Sequence, residues 1–384
     1  MKICVIGMGY MGLPTALLFA RAKHEVIGFD IDKEKIDSLN KSTLPFEEKG
    51  LKKLYQDAKE NFTATSELKE ADVFLIAVPT PITKDKECDL SYVEKAAEAL
   101  TEVIKENNLI ILESTVKPRT TKDFLKPILD RSNKNFNLAY VSEKAIPGNT
   151  LHEMINNDRV VGGIDEKSKE MTRSLYSSFV KGNIHTTDCT TAEAVKLMEN
   201  TFRDVNIALA NEFLKLSKDI GINVWEAINL ANNHPRVNIH NPGPGVGGHC
   251  IAIDPWFLVN ENTPLIKTAR EINDSMPKET ADFIQKNSKG KNIALLGAAY
   301  KKNVDDERES PTKSVYDILK KRGYEIIIHD PYVKAKEKDI NKTITWADTL
   351  VLMTDHDDYK NIQTDKPLID TRNMFKKSIL FGGK

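Results

Sequence analysis

Apolar residues in this chain come in short runs separated by longer mixed stretches. Lys2-Ile-Cys-Val-Ile-Gly7 reads as a buried strand, and a helix-like run follows from Leu13 to Arg21. His24-Glu-Val-Ile-Gly-Phe-Asp30, Ala71-Asp-Val-Phe-Leu-Ile-Ala-Val78, Leu109-Ile-Ile-Leu-Glu-Ser-Thr115 and Asn137-Leu-Ala-Tyr-Val-Ser-Glu143 read as further strands. Strands that alternate with helical stretches predict a parallel, doubly wound sheet. The pattern returns near the C-terminus in Asn292-Ile-Ala-Leu-Leu-Gly297, Tyr324-Glu-Ile-Ile-Ile-His-Asp330, Trp346-Ala-Asp-Thr-Leu-Val-Leu-Met353 and Pro367-Leu-Ile-Asp-Thr371. Ser310-Pro-Thr opens a helix there, with Pro311 at its first position.

Between these two regions the pattern changes. Thr190-Thr-Ala-Glu193 predicts a capping box, and no Pro or Gly follows until Gly221. That run predicts one helix of about 45 Å, at ~1.5 Å per residue, suited to a spine between two domains or to a dimer seam. Lys196 and Asn200 lie four apart and share a face, which Arg203 and Asp204 extend. The neighbouring Leu197, Met198 and Phe202 predict substantial burial around it. Lys267 to Ile284 predicts a second helix.

Composition narrows the classes. The chain has 384 residues, enough for two or three domains, with 40% hydrophobic and 29% charged residues. A formal net charge of -1 gives no general steering toward nucleic acid or an anionic membrane. No apolar run approaches the ~18 residues of a membrane span. The strand-like run at Lys2 leaves no room for a signal peptide. Cys4, Cys88, Cys189 and Cys250 are scattered without a CxxC pair, which argues against zinc and for reduced thiols in the cytoplasm.

Two stretches carry candidate chemistry. Gly7-Met-Gly9-Tyr-Met-Gly12 lies between a strand and a helix, and Asp30 ends the next strand eighteen residues after Gly12. That order suits a dinucleotide, whose pyrophosphate meets the helix N-terminus and whose ribose diol meets the acid. Asp30 would repel a 2′-phosphate, so NAD is favoured over NADP. Thr80, Thr115 and Glu143 lie at strand ends, where ligands gather in such sheets and where turns also need polar caps. Pro242-Gly-Pro-Gly-Val-Gly-Gly-His-Cys-Ile-Ala-Ile-Asp254 places four glycines just before a thiol, with a carboxylate four residues beyond it. A thiol beside a possible base suits covalent catalysis on a carbonyl. A lone cysteine can equally be a packed, inert one. Tyr300-Lys-Lys302 and Arg308 suit phosphates or a plain charged surface. The fold class expected is α/β, two Rossmann-like doubly wound domains joined by a long central helix. Its divisions are 1–188, 189–285 and 286–384.

The sequence resembles the UDP-glucose/GDP-mannose dehydrogenase superfamily over nearly its whole length. The resemblance lies in Gly7-Met-Gly-Tyr-Met-Gly-Leu-Pro14, Ala77-Val-Pro-Thr-Pro81, Glu199-Asn-Thr-Phe-Arg-Asp-Val-Asn-Ile-Ala-Leu-Ala-Asn211, His234-Pro-Arg-Val-Asn-Ile-His240 with the Cys250 loop, and Asp306-Glu-Arg-Glu-Ser-Pro311. It implies an NAD-binding domain, a helical dimerisation region and a second Rossmann-like domain. The implied activity is four-electron oxidation of a UDP-sugar at C6, two NAD per sugar, through a Cys250 thiohemiacetal and thioester. UDP-N-acetylmannosamine is the substrate expected, with UDP-N-acetylglucosamine and UDP-glucose as alternatives. A two-electron hydroxyacid dehydrogenase with a catalytic Lys would leave the Cys250 loop and the second Rossmann-like unit unexplained, and a catalytically silent NAD- or nucleotide-sugar-binding sensor would need no Cys250–Lys196 pair.

The resemblance also implies roles. Cys250 matches the catalytic thiol. Lys196 and Asn200 match the pair that holds the substrate oxygen, Asp254 the acid of the hydrolytic step, and Glu143 a glutamate that positions water. Arg203, Gly247, Tyr300, Lys301 and Arg372 match substrate contacts. Lys144 and Ala145 fall in the loop that helps choose the sugar with Pro147-Gly148, and Lys144 stands where relatives usually carry Arg. His234 and Arg236 match a loop reaching the partner subunit of a homodimer. Gly7, Gly9, Tyr10, Met11, Gly12, Asp30, Lys35, Thr80, Thr115 and Arg308 match cofactor contacts. No metal, nucleic acid or membrane partner is implied.

Overall fold

The computed structural model describes residues 1–146, 148–248 and 250–383. Pro147, singled out with Gly148 in the sugar-choosing loop, and His249, in the glycine-rich stretch, lie outside the described residues. The chain divides into two compact units, Met1–Met198 and Glu199–Lys384.

The first unit is built on eight strands: β1 (Lys2–Ile6), β2 (Glu25–Phe29), β3 (Phe62–Thr65), β4 (Val73–Ile76), β5 (Leu109–Leu112), β6 (Asn137–Val141), β7 (Arg159–Gly163) and β8 (Ile184–Asp188). Their spatial order is β3-β2-β1-β4-β5-β6-β7-β8, and every pair is parallel except β6 with β7. The order reverses between β1 and β4, the point at which such sheets open a crevice at their carboxyl ends. Burial on both faces explains the unbroken apolar runs. Ile3 and Val5 pack on one side with Leu13 and Leu17 of the helix Gly12–Arg21, while Cys4 and Ile6 pack on the other with Val93 and Ala97. Cys4 is therefore core, and burial pushes its thiol up to about 12. Strands β3, β7 and β8 escaped the sequence reading. Phe62-Thr-Ala-Thr65 and Ile184-His-Thr-Thr-Asp188 are largely polar edge or near-edge strands, and register with a neighbour defines them.

The spine helix runs from Cys189 to Ile220, 32 residues. Its start corrects one expectation, since the cap is Asp188. That side chain accepts the Thr191 N–H at 3.0 Å and the Thr191 hydroxyl at 2.6 Å. Glu193 turns inward instead and accepts Arg119 N–H at 2.5 Å and Thr121 N–H at 2.7 Å. Buried amides of the loop after β5 need an acceptor, whereas the helix's first turn already has one. A second correction concerns burial. Leu197 is buried, but Met198 is 60% and Phe202 62% exposed. Those two share a face some 200° around the helix from Lys196 and Asn200.

The second unit is built on β9 (Asn292–Leu296), β10 (Glu325–His329), β11 (Thr349–Leu352), β12 (Leu368–Asp370) and β13 (Ile379–Leu380), all parallel, in the order β10-β9-β11-β12-β13. The helix expected over Lys267 to Ile284 spans Pro264–Asn287, with Pro277 inside it. Pro311 does begin a helix, Pro311–Lys321, and the Ser310 side chain caps it. Ala281 and Ile284 pack with Val315 and Leu319 against Ile293 and Leu295 of β9. Among the described residues, no helix is long and apolar enough to cross a membrane.

Candidate active site

In the first unit the carboxyl ends of β1 and β2 form one corner. An ideal Cβ on Gly12 would stand 1.9 Å from the Gly7 carbonyl oxygen, so only glycine lets the helix start that close. At Gly9 the same test meets nothing within 4 Å. This open space at a helix N-terminus, where Met11 precedes the first helical residue, fits an approaching pyrophosphate. Asp30 accepts Met8 N–H at 2.8 Å, Asp32 N–H at 3.0 Å and the Lys35 ammonium at 2.7 Å. The carboxylate is thus aimed while keeping acceptor capacity for a ribose. Tyr10 stacks on Phe46 and donates its hydroxyl to Glu48 at 2.8 Å. Glu48 also accepts Gly148 N–H and the Thr150 hydroxyl, both at 2.9 Å, tying the glycine-rich turn to the loop that follows β6. Thr80 donates to the Thr115 carbonyl at 2.6 Å, joining two strand ends.

Glu143 follows β6 by two residues and lies in a buried cluster. One of its oxygens accepts Lys144 N–H at 2.6 Å and Ala145 N–H at 2.7 Å, and the other accepts Arg159 Nη1 at 2.8 Å. Burial works against its charge, but Arg159 and these hydrogen bonds hold the carboxyl below the usual range. Beside it Glu113 accepts the hydroxyls of Tyr176 at 2.8 Å and Thr15 at 3.1 Å. Burial, then the charge of Glu143, pushes Glu113 up to about 7. Both Glu143 oxygens are engaged, and the loop carrying Lys144 and Ala145 hangs from one of them.

The thiol belongs to the second unit. Asp254 N–H donates to the Cys250 carbonyl at 2.8 Å, so four residues close a single turn with the exposed Cys250 at its head. Asp254 is buried and accepts Asn200 Nδ2 at 2.5 Å, and Asn200 Oδ1 accepts an Arg203 N–H. Gly248, at φ +82°, lies under the Tyr300 ring, where a Cβ would come within 2.8 Å of Cε2. Its N–H donates to the Arg308 carbonyl at 3.0 Å. Burial, then Asp306 and Cys250, raises the Tyr300 phenol above its ordinary value. Arg308 pairs with Asp306 at 2.6 Å, and Arg372 with Asp355 at 3.2 Å.

A buried amide chain anchors this loop to the spine. Asp204 takes Arg270 Nη1 at 2.5 Å and Asn273 Nδ2 at 2.8 Å. Asn273 Oδ1 accepts Asn211 Nδ2 at 2.9 Å, and Asn211 Oδ1 accepts Gly243 N–H at 3.0 Å. The structure thus gathers Asn200, Arg203, Gly247, Cys250, Asp254, Tyr300 and Arg308 in the second unit. Lys196 is buried one helical turn before Asn200, on the first unit's end of the spine. His234, Arg236 and Lys301 are exposed. Glu48, Glu113, Arg159, Asn211 and Asn273 were not picked out from sequence, because each acts through a partner distant along the chain. Among the described residues, no cluster of His, Cys, Asp and Glu could hold a metal ion.

Three signatures of one family match in succession. They are the UDP-glucose/GDP-mannose dehydrogenase family NAD binding domain over residues 1–180, central domain over 190–275 and UDP binding domain over 294–377. The chain belongs to the UDP-glucose/GDP-mannose dehydrogenase family. It is similar to the UDP-N-acetyl-D-mannosamine dehydrogenase of Methanococcus aeolicus, 46% identical over 398 residues, covering 100% of this chain and 91% of that one. The enzyme of that name from Methanocaldococcus jannaschii is 46% identical over 402 residues, 98% of this chain and 93% of that one. A solved UDP-D-ManNAc dehydrogenase from Pyrococcus horikoshii superposes with a TM-score of 0.93 at 39% identity, covering 100% of this chain and 99% of that one. The protein is an NAD-dependent dehydrogenase of UDP-sugars, with the α/β architecture of two Rossmann-like sheets and a long central helix.

Proposed function

We propose that this enzyme oxidises the C6 hydroxyl of UDP-N-acetyl-D-mannosamine to the carboxylate, with Cys250 as the covalent catalyst. The observation that supports the thiol's role is the turn Cys250–Asp254, closed by a 2.8 Å backbone bond and held to the spine by the 2.5 Å Asn200–Asp254 bond. The support for the sugar is the likeness, at 46% identity over full length, to relatives named for it.

NAD, when bound, accepts the two electrons of each oxidation, so alcohol to acid consumes two. The chain's residues do the rest. Cys250 adds to the intermediate aldehyde and carries the carbon as thiohemiacetal, then as thioester, until water releases the acid. Asn200 and Lys196 steady the oxygen that gains charge at each addition, a role in which losing one donor typically costs about 10²–10³ in rate. Asp254 serves the hydrolytic step, and Glu143 orients the loop of Lys144 and Ala145 and, through it, water. Tyr300, Lys301, Arg203 and Arg372 take the UDP-sugar, and Arg308 takes the cofactor pyrophosphate.

The enzyme works as a homodimer in the cytoplasm, with His234 and Arg236 serving the neighbour's site. Met198, Phe202, Leu209, Leu216 and Ile220 are exposed along the spine, and a self-associating helix would cover such residues.

The test is NADH formed per sugar consumed across a panel of UDP-sugars. Two NADH per UDP-N-acetylmannosamine, with the highest kcat/KM of the panel, is expected. Faster turnover of UDP-glucose or UDP-N-acetylglucosamine overturns the substrate, and one NADH per sugar overturns the four-electron scheme.

A further inference from the structure

In the second sheet a buried histidine and a buried acid grip both ends of one short segment. Asp330, fully buried after β10, accepts Ala298 N–H at 2.7 Å and Ala299 N–H at 3.0 Å. The same oxygen lies 3.1 Å from His356 Nε2. His356, also fully buried, takes the Asn303 N–H on Nδ1 at 2.9 Å. A backbone N–H is an obligate donor, so Nδ1 carries no proton and Nε2 donates to Asp330. The Thr354 hydroxyl adds a 2.6 Å bond to the Ala299 carbonyl. Asn303 stands at φ 58°; its Oδ1 accepts the Asp357 backbone N–H at 3.0 Å and its Nδ2 donates to the Asp357 carboxylate at 2.6 Å. Residues 298 and 303 are therefore fixed to a single Asp330–His356 unit. Tyr300 and Lys301 sit on the bow between them.

What the bow carries gives this grip a purpose. Tyr300 sets its Cβ against Gly247 and its ring against Gly248, shortly before the Cys250 turn, and a Cβ on either glycine would come within 2.8 Å of Tyr300 or the Glu309 carbonyl. A shift of the bow by a fraction of an ångström is felt at the glycine-rich loop and at Lys301 together. We infer that His356 is a positioning residue for UDP-sugar recognition: its Nδ1 fixes the end of the Tyr300–Lys301 bow, and Asp330 fixes its tautomer. This inference rests on the substrate role given above to Tyr300 and Lys301.

The experiment exploits the two ring nitrogens separately. Asn at 356 can place an acceptor near the position of Nδ1, whereas Gln places its amide near Nε2. His356→Gln and His356→Ala should raise the KM for the UDP-sugar on the order of tenfold, the weight of one buried hydrogen bond, with the KM for NAD unchanged. His356→Asn should recover most of that loss. Calorimetric titration with UDP should show the same ranking of affinities. A nitrogen-15 spectrum of the unmutated enzyme should show the Nε2–H tautomer, so the assignment does not depend on any variant folding.

Folded Gln and Ala variants with unchanged KM and UDP affinity would overturn the inference, as would an Asn variant no better than Ala, or an Nδ1–H tautomer. Lys301→Ala and Tyr300→Phe separate the two levels of the argument. If they leave UDP affinity intact, the substrate role of the bow fails and the positioning role with it. If they weaken it while His356 variants do not, only the positioning role fails.

Discussion

The two sheets begin alike and then part. In each, a strand ends in a glycine of positive φ, Gly7 at 100° and Gly297 at 102°. Each glycine N–H donates 2.8 Å to the last residue of the neighbouring strand, Phe29 in one and His329 in the other. In each, an acid comes next, Asp30 or Asp330. In the first unit the helix starts at Gly12, and Asp30 keeps acceptor capacity beyond its three partners. In the second the helix waits until Pro311, and the longer loop folds back on Asp330. Asp330 then collects Ala298, Ala299, Tyr332 and Val333 N–H groups and His356. Burial opposes its charge, but the His356 bond and those amides hold its carboxyl far below the usual range. The same strand-end acid keeps room for a further donor where the loop is short and organises the loop where it is long.

The largest expected effect concerns which unit holds the chemistry. Cys250→Ala should cut acid formation by at least ~10³-fold, as removal of a covalent nucleophile does, while NAD still binds the first unit. Mass spectrometry should find a sugar adduct on Cys250 in the unmutated enzyme during turnover. Two NADH per sugar at near the original rate in the variant would make the thiol structural.

Next comes the stability of the two acids. Asp330→Ala should lower unfolding free energy by about 3–5 kcal/mol, because five donors, four of them buried, lose their acceptor. Asp30→Ala should cost about 1.5 kcal/mol or less, because two of its three partners, Asp32 and Lys35, are nearer water. Urea titration monitored by hydrogen exchange in each unit measures both. Equal losses would mean that the two acids do the same job.

Asp30→Ala should instead act on the cofactor. Preference for NAD over NADP, measured as the ratio of kcat/KM values, should fall by at least about tenfold, because Lys35 would then face a 2′-phosphate without its carboxylate partner. An unchanged ratio would move the discrimination elsewhere.

The most gradual effect, spread over several pH units, is a pH slope confined to the first unit. Glu113 titrates at about 7 in the folded chain, above the usual carboxylate value, because of burial and then Glu143. The folded state therefore binds that proton more tightly than the unfolded one. Its contribution is complete below about pH 4.3 and is lost as pH rises through about 7. Asp330 has the opposite sign: its contribution is present above about pH 3.9 and is lost only in strong acid. Glu113→Gln should flatten the first unit's decline between pH 5 and 8, by at most roughly 2.5 kcal/mol. A slope that persists in the variant would assign it to another group.

Local pattern was enough to read the doubly wound character of both ends, the long central helix, the glycine-rich turn with Asp30 at the next strand's end, and the thiol loop. These features depend on neighbours in sequence: apolar runs long enough for a strand, thirty residues without Pro or Gly, and glycines placed where a turn must tighten. Where the polar side chains turn became legible only once distant segments were packed together. Glu193 looked like a helix cap and became an acceptor for amides more than seventy residues earlier. Phe202 looked buried and is exposed, because helical rotation and not local apolarity chooses the face. Arg159 joined Glu143, Asn211 reached Gly243, and His356 met Asp330 and Asn303. A buried donor or acceptor must find a partner wherever the fold supplies one, and that requirement leaves no periodic trace in the chain.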